Sequence, residues 1–135
     1  MTPTADLHHV HLFASDIDAT VQWYCEMLGG EVAFDGDFGG ARNGFMHVGR
    51  GRLNIYDQPP RGTSGGTYHH IGIQTDDLFS LRERLIAKGV PFRSDIREFG
   101  SWRYLMCPAP DNVLLELFQI DVEKMPAPLA RFFTP

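Results

Sequence analysis

The 135-residue chain has only two cysteines, Cys25 and Cys107, with no CxxC spacing between them. No disulfide framework is available, which fits a reducing compartment. It has no excess of basic charge either: 12 Lys and Arg stand against 17 Asp and Glu, for a formal net charge of -5. That balance favours solubility and gives no general attraction to phosphate backbones, so nucleic acid is excluded as a partner. No apolar run approaches the roughly 18 residues that a membrane span requires. The amino-terminal MTPTADLHH lacks the basic segment and apolar stretch of a signal peptide. The expectation is a soluble cytoplasmic protein that does not bind membranes.

What is present is an ordinary globular composition, 43% hydrophobic and 21% charged, in a chain long enough for one cooperative core and too short for two independent domains. Within it one phrase is written twice. LHHVHLFASDID starts at Leu7 and YHHIGIQTDDLF at Tyr68, so that His70 and Asp77 stand 61 residues after His9 and Asp16. The chain therefore reads as a single domain, 1–135, made of module one (7–57) and module two (68–120). A Pro- and Gly-rich linker covers 58–67 and a tail covers 121–135.

Each module reads as strand, helix and three strands. In module one, Leu7–Ala14 is a strand and Ser15 to Asp18 offer helix caps. The segment IDATVQWYCEML then carries Ile17, Val21, Tyr24 and Leu28 at helical spacing before Gly29-Gly30. Strands follow at Glu31–Phe34, Gly44–Val48 and Leu53–Tyr56, with DGDFGGARNG (35–44) as a turn or loop. In module two, strands are expected at His70–Thr75, Val90–Phe92, Trp102–Met106 and Val113–Phe118. A helix capped by Asp76 or Asp77 carries Leu78, Leu81, Leu85 and Ile86. One such module leaves an apolar sheet face uncovered; two can cover one another.

Strand alternation sends His9, His11 and Phe13 to one face, and His70, Gly72 and Gln74 to the equivalent face. In NVLLELFQ, Glu116 is a carboxylate in an apolar strand, costly to bury without a cation, a proton or a hydrogen-bonding partner. His9, His70 and Glu116 together suit one divalent metal, with Zn, Fe(II), Mn and Ni not distinguished. Ungapped alignment places Ile55 opposite Glu116, which implies three protein ligands; a one-residue bulge near GRG would bring Asn54 or Tyr56 there instead. The bland alternative is that these histidines are structural.

At these positions the chain resembles the vicinal oxygen chelate superfamily, which includes glyoxalase I, extradiol dioxygenases, fosfomycin resistance enzymes and bleomycin-binding proteins. The resembling text is HHVHLFASDIDATVQWYCEMLGG, YHHIGIQTDDLFSLRERLIAKGV and PAPDNVLLEL. The resemblance implies an α+β fold of paired βαβββ modules forming a curved mixed sheet around a metal-binding cleft. It also implies His9, His70 and Glu116 as metal ligands and, in many small members, a homodimer. Extradiol dioxygenases use only three ligand positions and carry a tyrosine to which Tyr104 corresponds.

The chemistry expected of such a site is metal-dependent isomerisation or elimination on a small oxygenated acid or ketone, through an enolate-like state. The alternatives are an Fe(II) or Mn(II) ring-cleavage dioxygenase and a non-enzymatic small-molecule binder. His11, Tyr104 and Glu116 are the candidate catalytic residues. His47 and Tyr56 are candidate substrate contacts. Arg93, Arg97 and Arg103 are candidate anion holders by guanidinium pairing. Trp102, with Phe99 and Phe38, is a candidate apolar wall.

Overall fold

The computed structural model describes residues 2–62 and 68–134. The chain divides into two compact units, Met1–Ser64 and Gly65–Pro135. Residues 63–67 of the expected linker lie outside the described residues.

The first unit holds β1 (Val10–Phe13), α1 (Ile17–Leu28), β2 (Glu31–Phe38), β3 (Ala41–Val48) and β4 (Gly51–Tyr56). The second holds β5 (Ile71–Gln74), α2 (Leu78–Ala87), β6 (Arg97–Phe99), β7 (Trp102–Pro108), β8 (Leu114–Ile120) and α3 (Ala127–Phe133). The sheets have the same order, β1-β4-β3-β2 and β5-β8-β7-β6. In each, the first strand lies parallel to the fourth and the other pairs are antiparallel. Both units are thus βαβββ modules with mixed sheets, as the sequence implies.

Local chemistry explains the helices. The Asp16 carboxylate accepts from the Ala19 amide and starts α1; the Asp77 carboxylate accepts from the Ser80 amide and starts α2. Gly29, left-handed at φ 69, ends α1. Helix α1 buries Ile17, Thr20, Tyr24 and Met27, and packs on β2, β3 and β4, where Met46, Leu53 and Ile55 are also buried. A Cβ on Gly44 would stand 3.3 Å from Val21, so glycine is what admits the helix that close to β3. In the second unit, Leu78 and Leu85 of α2, with Leu105, Cys107, Leu115 and Leu117 of β7 and β8, make up the buried core.

Two strand expectations need correction. The expected loop 35–44 is mostly a hairpin: β2 runs on to Phe38, and β3 begins at Ala41 after a Gly39-Gly40 turn in which both residues have positive φ. Val90–Phe92 is not a strand. Pro91 has no amide hydrogen to offer a ladder, and the strand pairing with β7 is Arg97–Phe99. β1 is also shorter than expected, so His8 and His9 precede it.

The registers settle the Ile55 question. Gly44 pairs with Ile55 in the first unit and Leu105 with Leu117 in the second. The first members are 61 residues apart and the second members 62. The additional residue lies between β7 and β8, in the turn Pro110–Asn112, where Asp111 and Asn112 take φ of 60 and 61; the β3–β4 turn needs only Gly49 and Arg50. Ile55 is therefore the counterpart of Leu117, and both are fully buried at 0% exposure. The counterpart of Glu116 is Asn54: His11 pairs with Asn54 as Gly72 pairs with Glu116.

Candidate functional site

In the second unit the sheet face opposite α2 carries a pocket of about 610 Å³. His69 and His70 stand at its edge just ahead of β5; Glu116 projects from β8; Phe99, Trp102, Tyr104 and Met106 line it from β6 and β7. The side chains from β7 reach one face because each lies an even number of residues from the next along the strand.

His70 Nε2 lies 3.3 Å from Glu116 Oε2, with side chains 32% and 16% exposed. Two ligands each about 2.1 Å from one ion, at angles of about 90 to 110°, stand about 3.0 to 3.4 Å apart. The imidazole and carboxylate thus have the spacing of neighbouring ligands, and both atoms are of the type that borderline and hard divalent ions accept. The second carboxylate oxygen, Oε1, accepts from the Trp102 indole at 3.2 Å, which fixes the rotation of the carboxylate. His69 Nδ1 lies 2.7 Å from His70 Nδ1 with the rings near perpendicular, so a proton between them orients the His70 ring. The Tyr68 hydroxyl donates to the Leu114 carbonyl at 3.3 Å and ties the segment ahead of β5 to β8. Burial raises the pKa of that phenol. Among the described residues no three His, Cys, Asp or Glu side chains are assembled into one group.

In the first unit His11 stacks on Tyr56, with ring centroids 3.7 Å apart and an interplanar angle of 23°. His9 lies 6.1 Å from His11, centroid to centroid, and its Nδ1 is 3.1 Å from that of His8. The doubled histidines therefore make the same ring-to-ring contact in both units. Asn43, only 1% exposed, donates from Nδ2 to the carbonyls of Phe38 and Ala41, each at 3.1 Å. With both amide hydrogens used, its oxygen faces His11 and accepts from the ring. Partial burial, then the neighbouring His9, lower the His11 pKa; the Asn43 bond opposes them.

The other expected contacts separate. Arg103 pairs with Glu98 at 3.4 Å on the opposite face of β7, where Tyr104 and Trp102 do not point. Arg97 shares the face of Tyr104 and lines a smaller adjoining depression with Ser94 and Asp95. Arg93 is exposed between α2 and β6 and does not line the 610 Å³ pocket. His47 is exposed toward the far end of β3 from Asn43. Phe38 clusters with Phe34 and Phe45 at 6.4 and 5.4 Å. Sequence reasoning missed the Trp102 hydrogen bond, the role of Asn43 and the leading members of the two His doublets. The doublets themselves were the available signal.

Comparison with known proteins agrees with this architecture. A family model described as Glyoxalase/Bleomycin resistance protein/Dioxygenase superfamily matches residues 6–117. No curated protein matches the chain. Among solved structures, a point mutant of the genomically encoded fosfomycin resistance protein FosX from Listeria monocytogenes, complexed with Mn(II) and 1S,2S-dihydroxypropylphosphonic acid, is similar with a TM-score of 0.74. Identity is 22%, covering 90% of this chain and 97% of that one. A glyoxylase/bleomycin resistance protein/dioxygenase domain from Frankia sp. EAN1pec has a TM-score of 0.73 at 20% identity, covering 88% and 94%. With the family model spanning both βαβββ modules, the chain belongs to the Glyoxalase/Bleomycin resistance protein/Dioxygenase superfamily.

Proposed function

We propose that the protein is a metal-dependent isomerase or lyase acting on a small oxygenated acid or ketone, with His9, His70 and Glu116 as ligands of one divalent ion. The observation that carries this reading is the His70–Glu116 pair, spaced at 3.3 Å with the outer carboxylate oxygen held by Trp102. A divalent ion there would supply positive charge where an enolate oxygen develops. The FosX mutant complexed with Mn(II) and a dihydroxypropylphosphonic acid gives precedent for a metal ion together with an oxygen-rich small molecule on this fold.

His11 is the proton-transfer group. One ring nitrogen is engaged by the Asn43 amide oxygen, which leaves the other with its lone pair, and stacking on Tyr56 fixes the ring plane. Tyr104 lines the pocket as a second candidate acid. Asn54, at the register position of Glu116, adds an amide oxygen as a weak fourth donor or a hydrogen bond to substrate. As in many small members of the superfamily, we propose a homodimer as the working form, in the cytoplasm.

The test is metal content and affinity of the purified protein, of His70→Ala and of Glu116→Gln, with solvent deuterium exchange at the α-carbon of hydroxyketones and hydroxy acids. Near-stoichiometric metal lost in both variants supports the proposal; a protein that takes up no Mn(II), Zn(II) or Ni(II) at micromolar concentration overturns it. Tyr104, lining the same pocket as His70 and Glu116, favours a second reading, an Fe(II) or Mn(II) ring-cleavage dioxygenase. Oxygen consumption with a catechol would select it.

A further inference from the structure

We infer that the group carried beside the metal-chelating oxygens of the substrate is a flat, uncharged ring, held against the Phe99–Trp102 wall of the second unit. The inference rests on the proposed metal site, since it concerns the part of the substrate that this site leaves over.

Three observations carry it. Phe99 and Trp102 present nearly parallel rings, 18° apart at 6.4 Å, and Tyr104 meets Phe99 edge to face at 6.0 Å. The back of Trp102 is closed: Phe118 stacks on it at 4.7 Å and 12°, and Phe133 of α3 meets it edge-on at 5.3 Å. Its plane is therefore set before any ligand arrives. Phe99 is 63% exposed, an aromatic surface at the rim of the pocket. An aromatic face of this kind gains from an offset-stacked or edge-on ring.

The lining charge disfavours the opposite class, an anionic tail. No Lys or Arg lines this pocket among the described residues, its one carboxylate is Glu116, and Arg97 lines the adjoining depression instead. A phosphate or phosphonate tail would lie against Phe99, Trp102 and Met106 with no guanidinium or ammonium in the lining to meet it. This chain would then differ from the structural neighbour that is complexed with a phosphonic acid.

Three α-hydroxy acids with the same chelating head separate the possibilities: 2-naphthylglycolate, lactate and glycerate 3-phosphate. Binding is measured calorimetrically on the full chain with Mn(II), and 2-naphthalenemethanol, which has no chelating pair, is titrated into metal-free protein. The expected result is naphthylglycolate binding at least about tenfold tighter than lactate, with glycerate 3-phosphate no better than lactate. Phe99→Ala should remove most of that preference and leave lactate unchanged. Phe79→Ala, at a 65% exposed position on α2 outside this pocket, should change neither.

Equal binding of naphthylglycolate and lactate, both strengthened by Mn(II), overturns the ring inference while the metal reading stands. Naphthalenemethanol binding that is lost in Phe99→Ala, with no gain from Mn(II) for any acid, supports the ring pocket and removes the metal reading. A preference for glycerate 3-phosphate overturns the inference. So does a fall in oligomeric mass in Phe99→Ala with ring binding intact, which would assign this face to a second copy of the chain.

Discussion

Asn43 offers the sharpest test of the site's architecture. Its side chain is buried and holds both carbonyls that flank the Gly39-Gly40 turn, while its oxygen meets His11. Asn43→Ala removes three hydrogen bonds of about 1 kcal/mol each, the one from His11 included, and leaves a small void. The carbonyls sit at an exposed hairpin tip where water can reach them, so the summed cost is about 2 to 3 kcal/mol. With a urea m-value of about 2 kcal/mol/M, the midpoint of the first unit's unfolding should fall by about 1 to 1.5 M. Far-UV circular dichroism reads the midpoint, and amide exchange at Gly39 and Gly40 reads the local effect. Asn43→Asp is the more telling variant. It keeps the shape and the acceptor toward His11 but sets a carboxylate oxygen against two carbonyl oxygens, so it should be less stable than Asn43→Ala. If Asn43→Asp is as stable as the parent, the amide nitrogen does not face the turn and the orientation argued for His11 fails with it.

Three further outcomes are expected. Trp102→Phe keeps a ring against Phe118 but removes the N–H held by Glu116, and should weaken Mn(II) binding about tenfold by electron paramagnetic resonance titration; unchanged affinity would mean the indole does not set the carboxylate. Cys107 is buried and its thiol is pushed up to about 12 by that burial, so iodoacetamide at pH 8 should label Cys25 alone, as mass spectrometry of the digest can verify. Arg42 grips Asp18 at 2.7 Å and Asp35 at 3.0 Å, and its hydrogen bonds hold both carboxyls below their ordinary 3.8. Depressed carboxylates stabilise above the ordinary value and lose that contribution as pH falls, so the difference in melting temperature between the parent and Arg42→Gln should shrink below about pH 4.

The module helices α1 and α2 were legible because their signals are local, whereas α3, inside the expected tail 121–135, was not. Asp16 and Asp77 cap the turns that follow them, and Gly29 stops α1, all within a few positions of the pattern they bound. The candidate ligands His70 and Glu116 were legible because a carboxylate among leucines asks for a partner. What was not legible depended on pairing between distant segments. DGDFGGARNG has the composition of a loop, and only the pairing of its two halves, the end of β2 with the start of β3, makes it strand. Val90 and Phe92 look like strand formers, yet the edge of the sheet is taken seven residues later, past Pro91. The arginines split for the same reason: Arg97 shares the face of Tyr104 and lines the adjoining depression while Arg103 points to the other face, a division that one residue of register would reverse for Arg97.

The three-residue tip between β7 and β8 also bears on how the two halves have drifted apart. A length change confined to the end of a hairpin leaves every rung below it in place, so the strands keep their partners while the numbering slides by one. Comparison of the halves by counting then mistakes a core isoleucine for a ligand position. Roles passed from one half to the other, or in from a relative, hold past residue 112 only when they are traced rung by rung across the ladder.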